Sequence, residues 1–364
     1  MLKYSRSALG FLNHQYQSVL KRCLLGSMLV ISSSFLLSSG TANAADIEQD
    51  LIALAPNDAP VAQEVTVSMN NRLFRTIGNH LLEDSLGKKH GMNSGDPINQ
   101  MSLFADGYYG ESKLSRRGNH YGFNTDAMGF IVGMDKQINK NMKAGIGYQH
   151  DQTDVKAFHR KTDVDSNTGF VFAEYQPSPW FVNGIASYGR SSYREKKHAF
   201  DDTFKAKYHA DVYAMQAMTG YEYIHKYVDM TPQIGMRYNY IKRHGYNDGA
   251  EQQVSGKDMD IWTGVAGVTL SKDLYGYNCM RFRPEIYAGI TYDMESDRDN
   301  ATVNFINGGG YTVNGKRLDR MGYEVGAGLN AEMTEHLSAS LNYLGGFRDK
   351  YQNHTGLVGL KYTF

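Results

Sequence analysis

Thr355-Gly356-Leu357-Val358-Gly359-Leu360-Lys361-Tyr362-Thr363-Phe364 closes the chain. In an extended backbone, successive side chains point to opposite faces. Gly356, Val358, Leu360, Tyr362 and Phe364 then share one face, and Leu357, Gly359, Lys361 and Thr363 share the other. Chain ends usually stay polar and fray into solvent, yet this one ends on an aromatic. Two readings fit: the edge strand of a soluble sheet, or the closing strand of a membrane barrel. The rest of the sequence decides between them.

The same alternation recurs upstream. Strands are expected over Met101–Tyr109, Asp126–Met134, Met142–Tyr148, Thr168–Tyr175, Trp180–Gly189, Val212–Tyr223, Met230–Tyr240, Met259–Leu270, Phe282–Tyr292, Tyr323–Ala331 and Leu337–Tyr343, ahead of the terminal stretch. Their length suits a tilted membrane strand. Met230–Tyr240 alternates most cleanly, with Met230, Ile234, Met236, Tyr238 and Tyr240 against Thr231, Gln233, Gly235, Arg237 and Asn239. Lys143, Glu174, Glu222, Arg237, Arg283, Glu285, Glu324 and Lys361 all fall opposite the apolar set. Charge on the lipid side is costly, so these side chains are assigned to a lumen. Connections alternate in length. Asp135–Asn141, Gln176–Pro179, Ile224–Asp229 and Glu332–His336 are short; Gly110–Thr125, His150–Asn167, Arg190–Asp211, Lys242–Asp258 and Asp293–Gly322 are long. Outer-membrane barrels have short periplasmic turns and longer outer loops. Lys272–Met280 and Phe347–Gln352 depart from that parity.

Composition agrees. The 364 residues carry zero formal net charge, so no nucleic-acid partner is implied. A mean hydropathy of −0.49 resembles a soluble protein, but alternating barrel strands average out as polar. The excess of 26 Tyr and 38 Gly suits aromatic girdles and crowded strands.

Lys21-Arg22, the apolar run Cys23–Leu37 and Ala42-Asn43-Ala44 read as a signal peptide over 1–44, cleaved between Ala44 and Ala45. Cys279 is then the single mature cysteine, which leaves no disulfide framework within one copy. Residues 45–59 form a short leader. Asp58 and Pro60 open a helix, and 60–98 hold it with its linker. Val61, Val65, Met69, Leu73, Ile77 and Leu81 recur every four residues. At ~1.5 Å per residue, Val61–Leu82 is a rod of about 30 Å, the thickness of a bilayer core. Its few charges (Glu64, Arg72 and Arg75) suit either a core-packed helix or one threaded through a pore.

Several segments carry a family resemblance. They are Ser102-Leu-Phe-Ala-Asp-Gly-Tyr-Tyr-Gly110, Met230-Thr-Pro-Gln-Ile-Gly-Met-Arg-Tyr238, Gly245-Tyr246, the Gly-rich Phe305–Gly315 and the terminal Tyr362-Thr363-Phe364. In this order they resemble the C-terminal translocator of autotransporters, the type V secretion family, over 99–364. The resemblance implies an all-β fold: about 12 antiparallel transmembrane strands in a barrel, with an N-terminal α-helix in the pore. It implies an outer-membrane location, export through a cleaved signal, and translocation or display of the chain's own N-terminal segment. Expected partners are outer-membrane lipid and lipopolysaccharide, the barrel-assembly machinery and periplasmic chaperones, around a monomer. Leu360, Tyr362 and Phe364 would form the C-terminal insertion signal. Asn70-Asn71 resembles the site at which one subgroup cuts itself inside the barrel, by cyclisation of an asparagine side chain onto the backbone. Glu174, Glu222, Glu285 and Glu324 are the carboxylates that could assist.

Other chemistry is thin. Glu83-Asp84-Ser85-Leu86 lacks the glycine of an esterase motif, and no histidine pair has metal-ligand spacing. No catalytic residue, metal or cofactor is assigned. His150-Asp151 is the best enzymatic candidate, at the outer end of the third strand. Arg116-Arg117, Lys196-Lys197 and Lys242-Arg243 are candidates for lipopolysaccharide phosphates. The expectation is a non-enzymatic translocator. Its alternatives are an outer-membrane hydrolase or lipid-modifying barrel, and a porin or adhesin acting through its loops.

Overall fold

The computed structural model describes residues 53–56, 61–89, 100–116, 121–249, 252–276, 280–305, 308–315 and 318–364. Ala44, Ala45, Asp58, Pro60, Arg117 and Cys279 lie outside them. Helix α1 spans Val61–Lys89. The barrel strands follow: β1 Met101–Leu114, β2 Phe123–Asn139, β3 Met142–Ala157, β4 Arg160–Tyr175, β5 Trp180–Ala199 and β6 Asp202–Tyr221. Then come β7 Asp229–Arg243, β8 Lys257–Ser271, β9 Arg281–Ser296, β10 Met321–Glu332, β11 Leu337–Arg348 and β12 Tyr351–Thr363.

Each strand pairs antiparallel with its chain neighbours, and β12 returns to β1. The closing register sets Leu103 against Tyr362, Ala105 against Leu360 and Gly107 against Val358. The Phe364 amide donates to the Met101 carbonyl at 2.8 Å and fastens the seam's last residue. Closure matters because hydrocarbon offers no partner to a free strand edge.

The outward face is the apolar one. Val358, Leu360 and Phe364 are 61%, 56% and 64% exposed. Tyr109, Tyr148, Tyr188, Tyr213, Trp262 and Tyr292 are exposed towards one rim, and Tyr175, Trp180, Tyr223 and Tyr362 towards the other. These are two aromatic girdles. From Trp180 to Tyr188 the strand advances about 27 Å, or ~20 Å along the membrane normal at a tilt near ~40°, close to the apolar band of a barrel.

All twelve strands occur where alternation predicted them, but several run further outward. His150–Asn167 and Arg190–Asp211 are not loops. They are the ends of hairpins β3–β4 and β5–β6, closed by tight turns at 158–159 and 200–201. His159, Phe200 and Asp201 take positive φ there, the backbone that matches strand twist in a two-residue turn. Beyond the girdle the outer face becomes charged: Lys156 pairs with Asp126, Lys161 with Asp154 and Asp163, and Arg190 with Asp211. The strand continues while its apolar signature stops, which is why these hairpins read as loops. Lys272–Met280 holds a short strand, Leu274–Tyr275, paired to β9.

The outer connections β7–β8 and β9–β10 build a second sheet of four short strands, Tyr246–Asn247, Gln252–Val254, Ala301–Phe305 and Gly310–Val313. Tyr246, Val254, Ala301 and Val303 pack from it onto Tyr208 and Ile241. Inside the barrel, phenyl rings lie over glycines of the next strand. A Cβ on Gly145 or Gly147 would sit 2.2 Å from the Phe172 ring or 2.3 Å from the Phe170 ring.

Two outcomes follow for the lipid face. Ile234, 62% exposed near mid-band, should cost about 2–4 kcal/mol as Ile234→Arg in urea unfolding from lipid vesicles. Phe364→Asp should lower the amount of heat-modifiable barrel recovered in outer membranes; wild-type recovery would remove the insertion role from Phe364.

Candidate functional site

Helix α1 occupies the lumen, seven residues longer at its end than the sequence pattern predicted. Its apolar column is buried: Val61, Val65, Met69, Leu73, Ile77 and Leu81 are each at most 6% exposed. Its other faces are buried too, including Gln63, Glu64, Thr66, Asn70, Arg72 and His80. A helix enclosed on all sides explains both the low charge and the weak amphipathicity.

Two apolar contacts flank a polar belt. Towards the outer end, Val61, Ala62 and Val65 join Phe123, Val155, Val164 and Tyr193. Towards the periplasmic end, Leu73, Phe74, Ile77 and Leu81 join Phe104, Ile131, Phe170 and Phe172. Between them, Arg72 donates to Asp151 at 2.7 Å. The same carboxylate accepts from Tyr108 Oη at 2.7 Å, while Gln149 donates to that hydroxyl at 3.0 Å. Asn70 Nδ2 donates to Asn239 Oδ1 at 2.8 Å. Arg237 is ion-paired with Glu324, accepted by Gln216 at 2.8 Å, and donates to Asn71 Oδ1 at 3.3 Å. Arg75 stacks its guanidinium 3.4 Å over the Tyr287 ring. Lower down, His80 meets Asp135 at 3.1 Å beside Lys143.

The helix leans on the β3, β6 and β7 wall. On the opposite side a cavity of about 90 Å³ remains, bordered by Ser68, Asn71, Arg75, Asp293, Glu324 and Arg348. Its lining is mixed, with Val325, Leu344 and Phe347 beside these polar groups, and it has room for a few waters.

The structure sorts the residues singled out by sequence. Asn70 and Asn71 lie mid-pore on the polar belt. Of the four candidate glutamates, Glu324 is linked to Asn71 through Arg237. Glu222 instead accepts from Gln176 near the β4–β5 turn. His150 and Asp151 point to opposite faces of β3: Asp151 is fully buried against Arg72, whereas His150 meets Asn167 outside at 3.0 Å. They form no dyad, because adjacent strand residues cannot share a face. The same period splits the basic pairs. Lys196 and Lys242 face out, while Lys197 and Arg243 are buried and paired with Asp248 and Asp299. Arg116 is exposed over Tyr121. Tyr108 and Asn239, wall partners of the belt, escaped sequence reading, and Asp151 was singled out there only as half of an enzymatic pair. Their only signal was polarity on the lumen face.

At the outer mouth, residues 53–56 dock on the hairpin tips. Ala53 and Leu54 pack with Ala199, Phe200 and Phe204. Arg160 and Lys197 donate to their backbone carbonyls. Nearby, burial raises the Asp299 carboxyl above its ordinary range, with Arg243 and Lys257 pulling it back.

Comparison with known proteins fits this geometry. Residues 103–344 match the family described as Autotransporter beta-domain. Outer membrane protein A of Rickettsia rickettsii is 25% identical over 341 residues, covering 87% of this chain and 15% of that protein. Outer membrane protein B of Rickettsia typhi is 23% identical, covering 85% of this chain and 20% of that protein. The chain thus spans about a fifth or less of the length of these relatives. The translocator domain of autotransporter NalP from Neisseria meningitidis superposes with a TM-score of 0.62 at 17% identity, covering 82% of this chain and 99% of that one. The beta domain of the Bordetella autotransporter BrkA gives 0.53 at 13% identity, covering 72% and 98%.

The belt makes a testable demand. Arg237→Met strands the Glu324 carboxylate and should cost about 3–5 kcal/mol in unfolding experiments, whereas adding Glu324→Leu should recover most of that loss.

Proposed function

We propose a function from one premise: the chain belongs to the autotransporter β-domain family, and it is an outer-membrane barrel. Its barrel carries the segment ahead of α1 across the membrane and leaves α1 in the lumen as the trailing stretch. One observation supports this most directly. The first turns of α1 pack among the outer hairpins, residues 53–56 dock on the tips of those hairpins, and His80 lies at the periplasmic end. The chain ahead of α1 therefore leaves by the outer mouth. A signal peptide over 1–44 would deliver it to the periplasm. Chaperones there and the assembly machinery reading Leu360, Tyr362 and Phe364 would bring a monomer to the membrane. We read the barrel as non-enzymatic, since His150 and Asp151 diverge. Lys196 and Lys242, exposed above the girdle, are the cations best placed for lipopolysaccharide phosphates.

An epitope inserted ahead of residue 53 should be labelled on intact cells; labelling only after permeabilisation would reverse the orientation. In planar bilayers the full chain should conduct poorly, and deletion of 61–82 should raise conductance severalfold. Equal conductance would favour an open porin.

A second reading concerns processing. Asn70-Asn71 sits mid-pore beside an Arg–Glu pair. Attack of Asn70 Nδ2 on its own carbonyl carbon would form a succinimide, break the peptide bond and hand a proton to the departing Asn71 amine. N-terminal sequencing of outer-membrane protein should then begin at Asn71 and revert to an uncut chain in Asn70→Ala. A wild-type protein that keeps the residues ahead of Asn70 would exclude the cut.

A further inference from the structure

We propose that the outer mouth is a polypeptide clamp. It grips the backbone carbonyls of residues 53–55 and holds the chain ahead of α1 on the barrel independently of the covalent link through α1. The inference rests on the reading that this segment lies outside.

Ala53 and Leu54 belong to a helical turn that ends at Ala55. The last carbonyls of such a turn have no internal donor, and Lys or Arg side chains can satisfy them. Arg160 Nη2 donates to the carbonyls of Ala53 at 3.2 Å and Ala55 at 2.5 Å. Lys197 Nζ donates to that of Leu54 at 3.3 Å. Neither cation is an ordinary surface charge. Arg160 is 8% exposed and Lys197 fully buried.

Each cation is fixed by an acid from another element. Glu195 on β5 meets Arg160 at 3.0 Å, and Asp248 in the small outer sheet meets Lys197 at 3.0 Å. One acid cannot use all the donors of a buried cation, and the unused ones are costly to leave unpaired. The peptide carbonyls take up Arg160 Nη2 and Lys197 Nζ, while Arg160 Nη1 has no partner among the described residues. Asp248 reaches this depth because the next residue is Gly249, at φ 79°, where a Cβ would lie 2.5 Å from the Lys205 carbonyl oxygen. Two strands, β4 and β5, thus converge on three peptide carbonyls, and Asp248 from a third outer element holds one of the two cations. Recognition through carbonyls reads no side chains; the selective contact is the seat that Ala199, Phe200 and Phe204 offer to Leu54. The ligand class is a peptide turn ending in small apolar residues, here the chain's own.

The test uses the full chain in detergent, with an epitope ahead of residue 53 and a specific protease site replacing residues 57–60. After nicking, dissociation of the epitope fragment from the barrel is followed by gel filtration. Leu54→Asp removes the ligand's anchor without altering the clamp. Lys197→Met with Asp248→Leu removes the ion pair as a unit, so no bare charge is left. Unchanged heat-modifiable mobility shows that each barrel is folded. The wild-type fragment should dissociate at least about tenfold more slowly than in either variant, a difference of ~1.4 kcal/mol. Equal release in all three, or equal retention in all three, would overturn the clamp. Surface labelling of the uncut chain reports on orientation alone, so the two ideas fail separately.

Discussion

A strand edge cannot be left open in hydrocarbon, and the pairing of β12 with β1 is where this chain meets that constraint. Everything else in the barrel follows from closure. Closure assigns Val358, Leu360, Tyr362 and Phe364 to lipid and turns Lys143, Glu174, Arg237 and Glu285 into a confined interior. It also fixes the parity of the connections. Those on one side can be brief, while those on the other are free to grow into protruding hairpins and a second small sheet. A soluble sandwich would have no reason to obey that rule.

A closed ring of twelve strands leaves a lumen that must hold water or be filled. Here α1 fills it. Its polar groups find wall partners rather than solvent: Arg72 with Asp151, Asn70 with Asn239, and Asn71 with Arg237. Buried ion pairs of this kind add little net stability against apolar replacements. They do make one axial position and one rotation of the helix much better than its neighbours, because a shift would strand several charges together. Flat rings over Gly145 and Gly147 leave the central space clear for the helix. A residual cavity on the β9–β12 side shows that the fit is one-sided.

The outer end behaves as a small soluble domain built on the same strands. Above the aromatic girdle, exterior positions become charged, while inside Tyr193, Tyr208 and Tyr246 stack at 4.6 and 4.4 Å beside the buried pairs Lys197–Asp248 and Arg243–Asp299. That inner core surrounds the first turn of α1 and the docked residues 53–56. The exit of the pore is therefore a packed surface. Residues 53–56 meet specific donors and a specific apolar seat there.

The number, order and facing of the barrel strands were legible in the linear chain. Lipid demands an apolar residue at every second position, and that demand leaves a period anyone can count, as in Met230–Tyr240. The helix announced itself in the same way through Val61, Val65, Met69 and Leu73. Local periodicity also marked which charges point inward. It could not say whom they meet. Arg237 and Glu324 are separated by 87 positions and Asn70 and Asn239 by 169, and no repeat connects such distant partners. Nor could it show that Asp151 meets Arg72, that the hairpin strands outrun the membrane, or that Lys197 lies buried beneath Asp248. Those facts belong to the tertiary structure, because contact across a lumen depends on closure of the whole ring, whereas the membrane acts on each strand separately and writes its pattern there.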